Sequence, residues 1–281
     1  MTERTYDYLL SASLSESGLV RGNNEDSFLC MPQEGLFAVA DGMGGGEAGE
    51  VASALVVDCL KDACSGFGSD SPGTRKYTVQ QSLHKANAEI VSCRESHHYV
   101  SMGSTAVVFL LDPWSPGHGY VCHVGDSRLY CLRDGELTQV TVDHSAGEDY
   151  RKRNPGKPVN LPPNIARALM RVVGGSSYLV PEWQELAVCP GDVWLLCSDG
   201  VYGEMSEDEL TEALLSSQDL TERLETIRKL VLAHGAHDNF TAVCVEIAAV
   251  LPPDAVVEDW EKEESDLLMK VAEARKDYGA N

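Results

Sequence analysis

The feature that most constrains the fold is an apolar run that ends at an acidic residue and opens into glycines. Residues 36–40 (LFAVA) are bounded by turn signals, a pattern that predicts a strand covered on both faces. Asp41 follows directly, and the glycines within residues 42–46 allow the backbone to bend tightly and to approach a ligand closely. A helix is predicted over residues 47–63. Taken alone, this stretch is more simply explained as a strand, a turn and a helix.

The stretch is not alone, because apolar runs bordered by Asp recur along the chain. Asp126 and Asp199 each follow an apolar run, and Asp238 precedes one. An acidic pair, Glu25-Asp26, lies closer to the N-terminus. Together with Asp41, these five acidic sites lie at the edges of predicted strands. We therefore expect the fold to bring them into one cluster.

Composition limits the classes of partner. The chain has 281 residues, and 22 basic against 44 acidic residues give a formal net charge of -22. Such a charge argues against DNA, RNA or an anionic membrane surface as a partner. No apolar run approaches the roughly 18 residues of a membrane span, and the N-terminus lacks the pattern of a signal peptide. The sequence therefore predicts a cytoplasmic protein.

The nine cysteines contain no Cys-x-x-Cys pair, and most lie inside apolar runs. This distribution is typical of small buried apolar residues in a reducing compartment. A disulfide framework or a zinc site is disfavoured, because the number is odd and the spacing of metal ligands is absent.

Short apolar runs separated by turn signals predict antiparallel pairing, as at the Asp134-Gly135 hairpin turn. Two successive helices, residues 47–63 and 77–95, indicate a helical layer over a sheet. Residues 143–163 are polar and rich in Pro, and they are predicted to form a loop-like surface flap. The other predicted strands are 6–13, 106–111, 120–124, 129–132, 137–140, 186–188, 193–197 and 240–247, the other helices are 206–215 and 220–235, and 166–173 is predicted as either.

The predicted cluster contains carboxylates and backbone carbonyls without His or Cys, which suits Mg²⁺, Mn²⁺ or Ca²⁺ rather than zinc or copper. Carboxylates brought this close repel one another unless cations lie between them. Two divalent ions about 3.5–4 Å apart lower the pKa of a shared water and clamp an in-line displacement at phosphorus. Arg21, four residues before Glu25, has the bidentate geometry to hold the phosphate.

Six ordered motifs carry a resemblance to a known family: RGNNEDSF, LFAVADGMGGGEAGEVAS, MGSTAVV, HVGDSRLYCLRDGELTQVTVDHS, LLCSDGVYG and HDNFTAVCVEI. Over about residues 6–248 the chain resembles the PPM family, the metal-dependent protein Ser/Thr phosphatases also called protein phosphatase 2C, and its bacterial branch in particular. The resemblance implies an α+β fold, a central sandwich of two antiparallel β-sheets flanked by pairs of α-helices. Residues 1–250 would form the catalytic domain, and residues 251–281 an acidic helical extension that packs on the body or on a partner.

The resemblance also implies roles for individual residues. A hydroxide that bridges two Mn²⁺ or Mg²⁺ ions would attack phosphoserine or phosphothreonine directly, without a phosphoenzyme. Arg21 would bind the phosphate, and Asp126 together with Asp199 would hold a third ion. The ligands of the two core ions would be Asp41 as the bridge, the Gly42 carbonyl, Asp199, Asp238 and Glu25. Asp26 and Asn239 would support these ligands, and Ser104 and Thr105 would support the core.

The implied partner is a phosphorylated protein, which is the target of a Ser/Thr kinase or is itself such a kinase. Two features depart from the family pattern. Met43 replaces a His that some eukaryotic members carry two residues after the bridging Asp, so a water on the metal would protonate the leaving group. The flap between Asp143 and Ala166 is shorter and richer in Pro than in most bacterial members.

Other interpretations of the same residues remain open. The fold could serve as an inactive module that binds phosphoproteins. That interpretation predicts that some metal-ligand residues of the family are missing, and none is missing here. It could also be an interaction protein in which calcium and the carboxylates are purely structural. His144 and His237 are expected to be hydrogen-bonded neighbours of the site rather than acids. Cys30, Cys122 and Cys197 are expected to pack in the core rather than to act as nucleophiles.

Overall fold

The computed structural model of the protein describes residues 9–44, 47–66, 70–112 and 117–248, and their strands form two antiparallel sheets. The first sheet has the order β1-β11-β10-β7-β8. Its strands are Leu9–Glu16 (β1), Arg128–Arg133 (β7), Glu136–Gln139 (β8), Val193–Cys197 (β10) and Phe240–Ile247 (β11). The second sheet has the order β2-β3-β5-β6-β9, with the short β4 paired to β3. Its strands are Asp26–Met31 (β2), Leu36–Met43 (β3), Gly103–Ser104 (β4), Ala106–Leu111 (β5), His118–Val124 (β6) and Glu182–Ala187 (β9).

Helices cover the outer face of each sheet. Those described are Glu47–Cys64 (α1), Pro72–His97 (α2), Ala146–Arg153 (α3), Pro163–Ala166 (α4), Asp199–Tyr202 (α5), Glu207–Leu215 (α6) and Leu220–His234 (α7). Helices α1 and α2 pack on the second sheet, and α6 and α7 pack on the first. The four layers confirm the predicted α+β sandwich with flanking pairs of helices.

The first five residues of strand β3, Leu36 to Ala40, are all apolar because both faces of the strand are covered. Leu36, Ala38 and Ala40 face α1 and α2, whereas Phe37 and Val39 face the other sheet. All five are fully or almost fully buried, as predicted. Because side chains alternate between the faces of a strand, a strand covered on both sides needs a continuous apolar run.

The register of the strands collects the acidic residues at one end of the sandwich. Asp26, which begins β2, lies opposite Asp41 in β3. Asp126 follows β6 by two residues, Asp199 follows β10 by two residues, and Asp238 precedes β11 by two. Strand β3 extends two residues past Asp41, because Gly42 and Met43 pair with Ser104 and Gly103. The sequence had predicted that Asp41 comes directly after the strand.

The flap was predicted as a loop, and this is wrong for part of it. Helix α3 lies within it, because the Ser145 side chain accepts a hydrogen bond from the Glu148 amide and caps its first turn. Residues 166–173, predicted as a helix or strand, contain mainly irregular chain. This chain is held by single bridges from Leu169 to Ser145 and from Val173 to Ser104.

Three element boundaries also differ from the prediction. Helix α2 begins at Pro72 rather than at residue 77, because Ser71 caps it and Pro72 fits the first turn. Strand β9 begins at Glu182 rather than 186, because it pairs with β6 over its full length. Strand β1 covers Leu9–Glu16 rather than 6–13, and residues 6–8 lie outside the described residues. The remaining predicted elements agree with the structure to within about two residues, the usual uncertainty of an element's end.

The predicted extension, residues 251–281, lies outside the described residues. All nine cysteines are free, and six of them are buried, in agreement with their predicted role as small apolar residues. Among the described residues, no helix has both the length and the apolar character needed to cross a bilayer.

Candidate metal centre

Five aspartates converge at the end of the sandwich. Burial raises the pKa of Asp41 well above its usual value, and repulsion from Asp26, Asp199, Asp126 and Asp238 raises it further. The four neighbours come from four different segments of the chain. The structure thus brings together all the aspartates that the sequence singled out.

The peptide between Asp41 and Gly42 is held rigidly. Thr105 accepts a hydrogen bond from the Asp41 amide through Oγ1 at 2.9 Å, and its own amide donates to the Asp41 carbonyl at 2.8 Å. The Gly42 amide donates to the Glu25 carbonyl at 3.0 Å. A Cβ on Gly42 would lie only 2.0 Å from the Gly49 carbonyl oxygen. Only glycine fits here, because the α1 backbone approaches this close.

Glu25 and the Gly42 carbonyl border the same small space. A Cβ on Gly49 would lie 2.7 Å from Glu25 Oε2 and 2.9 Å from the Gly42 carbonyl oxygen. The Glu25 amide donates to Asn239 Oδ1 at 2.9 Å, and the Asn239 side-chain amide donates to the Asn23 carbonyl at 2.8 Å. Asn239 therefore ties the segment that carries Glu25 to the start of β11.

Asp26 has a carboxylate oxygen that lacks a protein donor. Its Oδ2 accepts a hydrogen bond from Ser198 Oγ at 2.7 Å, whereas its buried Oδ1 has no hydrogen-bond partner. Burial raises the pKa of Asp26 to about 7, and repulsion from Asp199 and Asp238 adds to this. A buried carboxylate oxygen without a donor is costly, and a cation with its bound waters would satisfy it.

Asp199 and Asp126 form the part of the cluster next to α5. Burial raises the pKa of Asp199, repulsion from Asp238 raises it further, and a hydrogen bond with Asp41 partly offsets both. Burial raises the pKa of Asp126 to about 7, and repulsion from Asp199 is the second-largest cause. The Tyr202 hydroxyl donates to the Asp126 carbonyl at 2.9 Å and anchors its backbone.

Arg21 lies at the open side of the cluster. Its Nη2 is 2.7 Å from Asp238 Oδ2, and about half of its side chain is exposed. The hydrogen bond to Asp238 is the main reason that the guanidinium pKa is raised, and Glu25 and Asp199 contribute through their charge. The remaining N–H donors of Arg21 are accessible to a solute that approaches the carboxylates.

The donor set fits hard divalent cations. The side chains that converge offer only carboxylate oxygens, joined by the Gly42 carbonyl, which Mg²⁺, Mn²⁺ and Ca²⁺ prefer. Burial, and to a smaller degree mutual repulsion, raises the pKa values of Asp26, Asp41 and Asp126. Cations among them would offset both burial and repulsion.

Some supporting residues were not identified from the sequence. Ser198 and Tyr202 lie in the LLCSDGVYG motif, but nothing in their spacing indicates that they contact Asp26 and Asp126 across the sheets. Gly49 could have been suspected, since it lies at the end of the glycine-rich motif.

Comparisons with known proteins agree with this fold. The profile of the family described as protein phosphatase 2C matches residues 20–233. The chain is 34% identical to the serine/threonine protein phosphatase PstP of Mycobacterium tuberculosis over 239 residues, which are 84% of this chain and 44% of PstP. The chain thus spans less than half the length of PstP. It is 31% identical to the serine/threonine phosphatase Stp of Listeria monocytogenes serotype 4b, covering 83% of this chain and 93% of Stp.

A solved structure extends the comparison to the fold. The catalytic domain of PstP, determined in complex with two manganese ions, superposes with a TM-score of 0.73 at 33% identity, covering 85% of this chain and 98% of that domain. These matches define the class as a metal-dependent serine/threonine phosphatase domain. Within that class, the chain belongs to the protein phosphatase 2C, or PPM, family.

Proposed function

We propose that this chain removes phosphate from phosphoserine and phosphothreonine in proteins, in a reaction that depends on Mn²⁺ or Mg²⁺ at the carboxylate cluster. The observation that carries the proposal is the convergence of five aspartates, four of them with raised pKa values, beside the half-exposed Arg21. The match to the PPM family supports the reaction class.

Each residue of the cluster has a role in this proposal. Asp41, which lies among the other carboxylates, would bridge two ions, and Asp199, Asp238, Glu25 and the Gly42 carbonyl would complete their ligands. Asp126 would share a third ion with Asp199. When bound, such ions lower the pKa of a water that attacks phosphorus directly, and they neutralise charge on the phosphate oxygens.

Arg21 would hold the phosphate. A guanidinium presents parallel N–H donors that match two phosphate oxygens, and Asp238 fixes its orientation through the 2.7 Å contact. Met43, two residues after Asp41, has no proton to give to the leaving oxygen. That oxygen would therefore take its proton from water.

The substrate would be a phosphoprotein, because the relatives PstP and Stp are named serine/threonine phosphatases. We propose that it is a target of a Ser/Thr kinase or such a kinase itself, and that the reaction takes place in the cytoplasm. The net charge of -22 favours basic phosphorylated segments over nucleic acid or anionic lipid.

The test is phosphate release from a phosphothreonine peptide and from p-nitrophenyl phosphate with Mn²⁺, Mg²⁺, Ca²⁺ or a chelator. We expect turnover with Mn²⁺ or Mg²⁺ and none with the chelator. A folded protein that binds the phosphopeptide but never hydrolyses it would instead be a binding module. If Ca²⁺ raises the melting temperature and no metal supports hydrolysis, the carboxylates are structural.

A further inference from the structure

A buried polar cluster joins the flap to the turn that carries Asp126. Within the described chain, His123, His144 and Glu182 place potential ligand atoms within 4.8 Å of one another. His144 and His123 are almost fully buried, and their rings stack with centroids 4.5 Å apart. Arg171 Nη1 lies 3.2 Å from His144 Nε2 and 3.5 Å from Glu182 Oε2.

The hydrogen bonds show that this cluster is not a second metal site. The Gly125 amide donates to His144 Nδ1 at 3.1 Å, so Nδ1 keeps its lone pair and the ring proton lies on Nε2. Nε2 in turn lies 3.0 Å from Glu182 Oε2, to which it donates, and Arg171 Nη1, which is also a donor, pairs with Glu182 Oε2 rather than with the ring. A metal on Nε2 would require a proton on Nδ1, directly against the Gly125 amide. The near-parallel rings, 16° apart, also do not aim their lone pairs at one point.

The backbone of His144 makes two further contacts. Its amide donates to the Gly125 carbonyl at 2.9 Å, and its carbonyl accepts from the Met170 amide at 2.7 Å. His144 therefore makes hydrogen bonds to both the amide and the carbonyl of Gly125. Its own carbonyl, bonded to Met170, closes the base of the flap. Gly125 has φ +102°, and a Cβ there would lie 2.7 Å from Thr105 Cγ2, so the turn is confined on its other side as well.

The structure thereby assigns a role to His144 as a positioning residue. We propose that His144 Nδ1 fixes the Gly125-Asp126 turn, so that the Asp126 carboxylate is held in place for the ion that it shares with Asp199. The inference rests on the proposed function, in which Asp126 holds a metal. Residues that orient metal ligands in this way affect metal affinity without touching the metal.

The other members of the cluster set the orientation of the imidazole. Glu182 lies opposite His123 in the register of β6 and β9, so its carboxylate is carried by a regular strand pair. His123 donates from Nε2 to the Val142 carbonyl at 3.0 Å and supports the His144 ring by stacking. Burial lowers the pKa of His144 to about 4, so the ring is neutral at pH 7 and Nδ1 remains an acceptor.

Two substitutions separate the contacts of His144. In His144→Asn the side-chain oxygen takes the place of Nδ1 and still accepts from the Gly125 amide. In His144→Gln the amide takes the place of Nε2, so the contact to Glu182 is kept and the Gly125 contact is lost. Glu182→Gln, which keeps an acceptor for Nε2, is the control for loss of charge.

The readouts are hydrogen exchange of the Gly125 amide and the affinity of the weakest Mn²⁺ site by calorimetric titration. We expect His144→Gln to speed Gly125 exchange about tenfold, as loss of one hydrogen bond implies. We expect its weakest Mn²⁺ site to lose affinity by about tenfold or more. His144→Asn and Glu182→Gln are expected to match the wild-type protein in both readouts.

The proposal is overturned if His144→Gln keeps wild-type exchange and affinity, or if His144→Asn loses both to the same degree. Should His144→Gln fail to fold, Glu182→Leu removes the acceptor of Nε2–H, and faster Gly125 exchange is again expected. Unchanged exchange in that variant would equally contradict the role. If the wild-type protein shows no hydrolysis, the proposed function fails, whereas the exchange comparison still decides what His144 does.

Discussion

At the scale of single residues, the carboxylates of the centre destabilise the folded state when no cation is bound to them. Asp26 and Asp41 lie opposite each other on paired strands, and burial raises the pKa of both. Buried carboxylates that repel one another destabilise a fold unless cations or donors compensate them. Ser198 supplies one donor to Asp26, and Arg21 supplies one to Asp238. The Asn239 backbone amide also donates to Asp238 Oδ1, so both oxygens of Asp238 accept hydrogen bonds, whereas the buried Oδ1 of Asp26 has no donor.

Replacing Arg21 with Ala tests its role as the phosphate holder. We expect kcat/KM for a phosphothreonine peptide to fall about 10- to 100-fold, since a charged hydrogen bond to phosphate is lost. Initial rates over a range of peptide concentrations at saturating Mn²⁺ measure this. Lys85→Ala, an exposed cation paired with Glu89 on α2, is the control. An unchanged kcat/KM for Arg21→Ala would exclude a role in binding phosphate.

Replacing Gly42 with Ala tests the close approach of α1 to the centre. The new Cβ would lie 2.0 Å from the Gly49 carbonyl, so we expect the free energy of unfolding to fall by about 3 kcal/mol. At Gly22, no atom lies within 4 Å of a Cβ, so Gly22→Ala is the matched control. Urea unfolding measures both variants. Equal stability of the two would show that α1 does not approach this closely.

At the scale of elements, the end of the sandwich opposite the centre is held by a buried carboxylate. Asp192, 1% exposed in the turn between β9 and β10, accepts from Arg133 Nε at 2.7 Å and from the Cys189 amide at 2.6 Å. Its carbonyl accepts from the Ile247 amide at 3.0 Å. The turn is thus joined to β7 and to β11.

We expect Asp192→Ala to lower the free energy of unfolding by about 2 kcal/mol, because the Cys189 amide and the Arg133 guanidinium lose their acceptor. The Arg133 side chain is partly exposed, and water can partly replace the lost contact. Asp149→Ala, which breaks the exposed pair with Arg153, should change stability by less than about 1 kcal/mol. Equal losses in the two variants, measured in urea, would contradict this account.

Some elements could be predicted from the sequence, and others could not, for identifiable reasons. The first five residues of strand β3 and the whole of strand β10 are continuous apolar runs, and each sets the position of an acidic residue at the centre. Helix α3 is short and polar, and its one local signal, Ser145 with Glu148 three residues later, is followed by many prolines. Strand β9 is half exposed, so its pairing with β6 rather than its own pattern sets where it begins.

The same distinction holds for the centre. Its aspartates could be predicted because each lies beside an apolar run. The contacts of Ser198, Tyr202 and His144 could not be predicted, because they depend on how distant segments pack. His144 was expected only to be a hydrogen-bonded neighbour, and the structure confirms the hydrogen bonds.

At the scale of the whole molecule, the acidic charge should make stability depend on divalent ions. The chain carries a net charge of -22, and five of its aspartates lie together at one end of the sandwich, close enough for the other four to repel Asp41. Ions bound there would stabilise the folded state by mass action and would reduce repulsion.

We expect Mn²⁺ at about 100 times its dissociation constant to raise the melting temperature by about 5–10 °C, since about 2.7 kcal/mol of binding energy is added. Thermal unfolding with Mn²⁺ and with a chelator measures the shift. Asp41→Asn, which removes the proposed bridging charge, should show a smaller shift. An equal shift in wild type and variant would place the stabilising ion elsewhere.

The most direct test of the central claim is phosphate release from a phosphothreonine peptide by Asp41→Asn in saturating Mn²⁺. The claim is that the carboxylates around Asp41 form the metal centre that performs hydrolysis. We expect the rate to fall by about a thousandfold or more, with the circular dichroism spectrum unchanged. Hydrolysis at the wild-type rate by a folded Asp41→Asn protein would contradict the assignment of the centre.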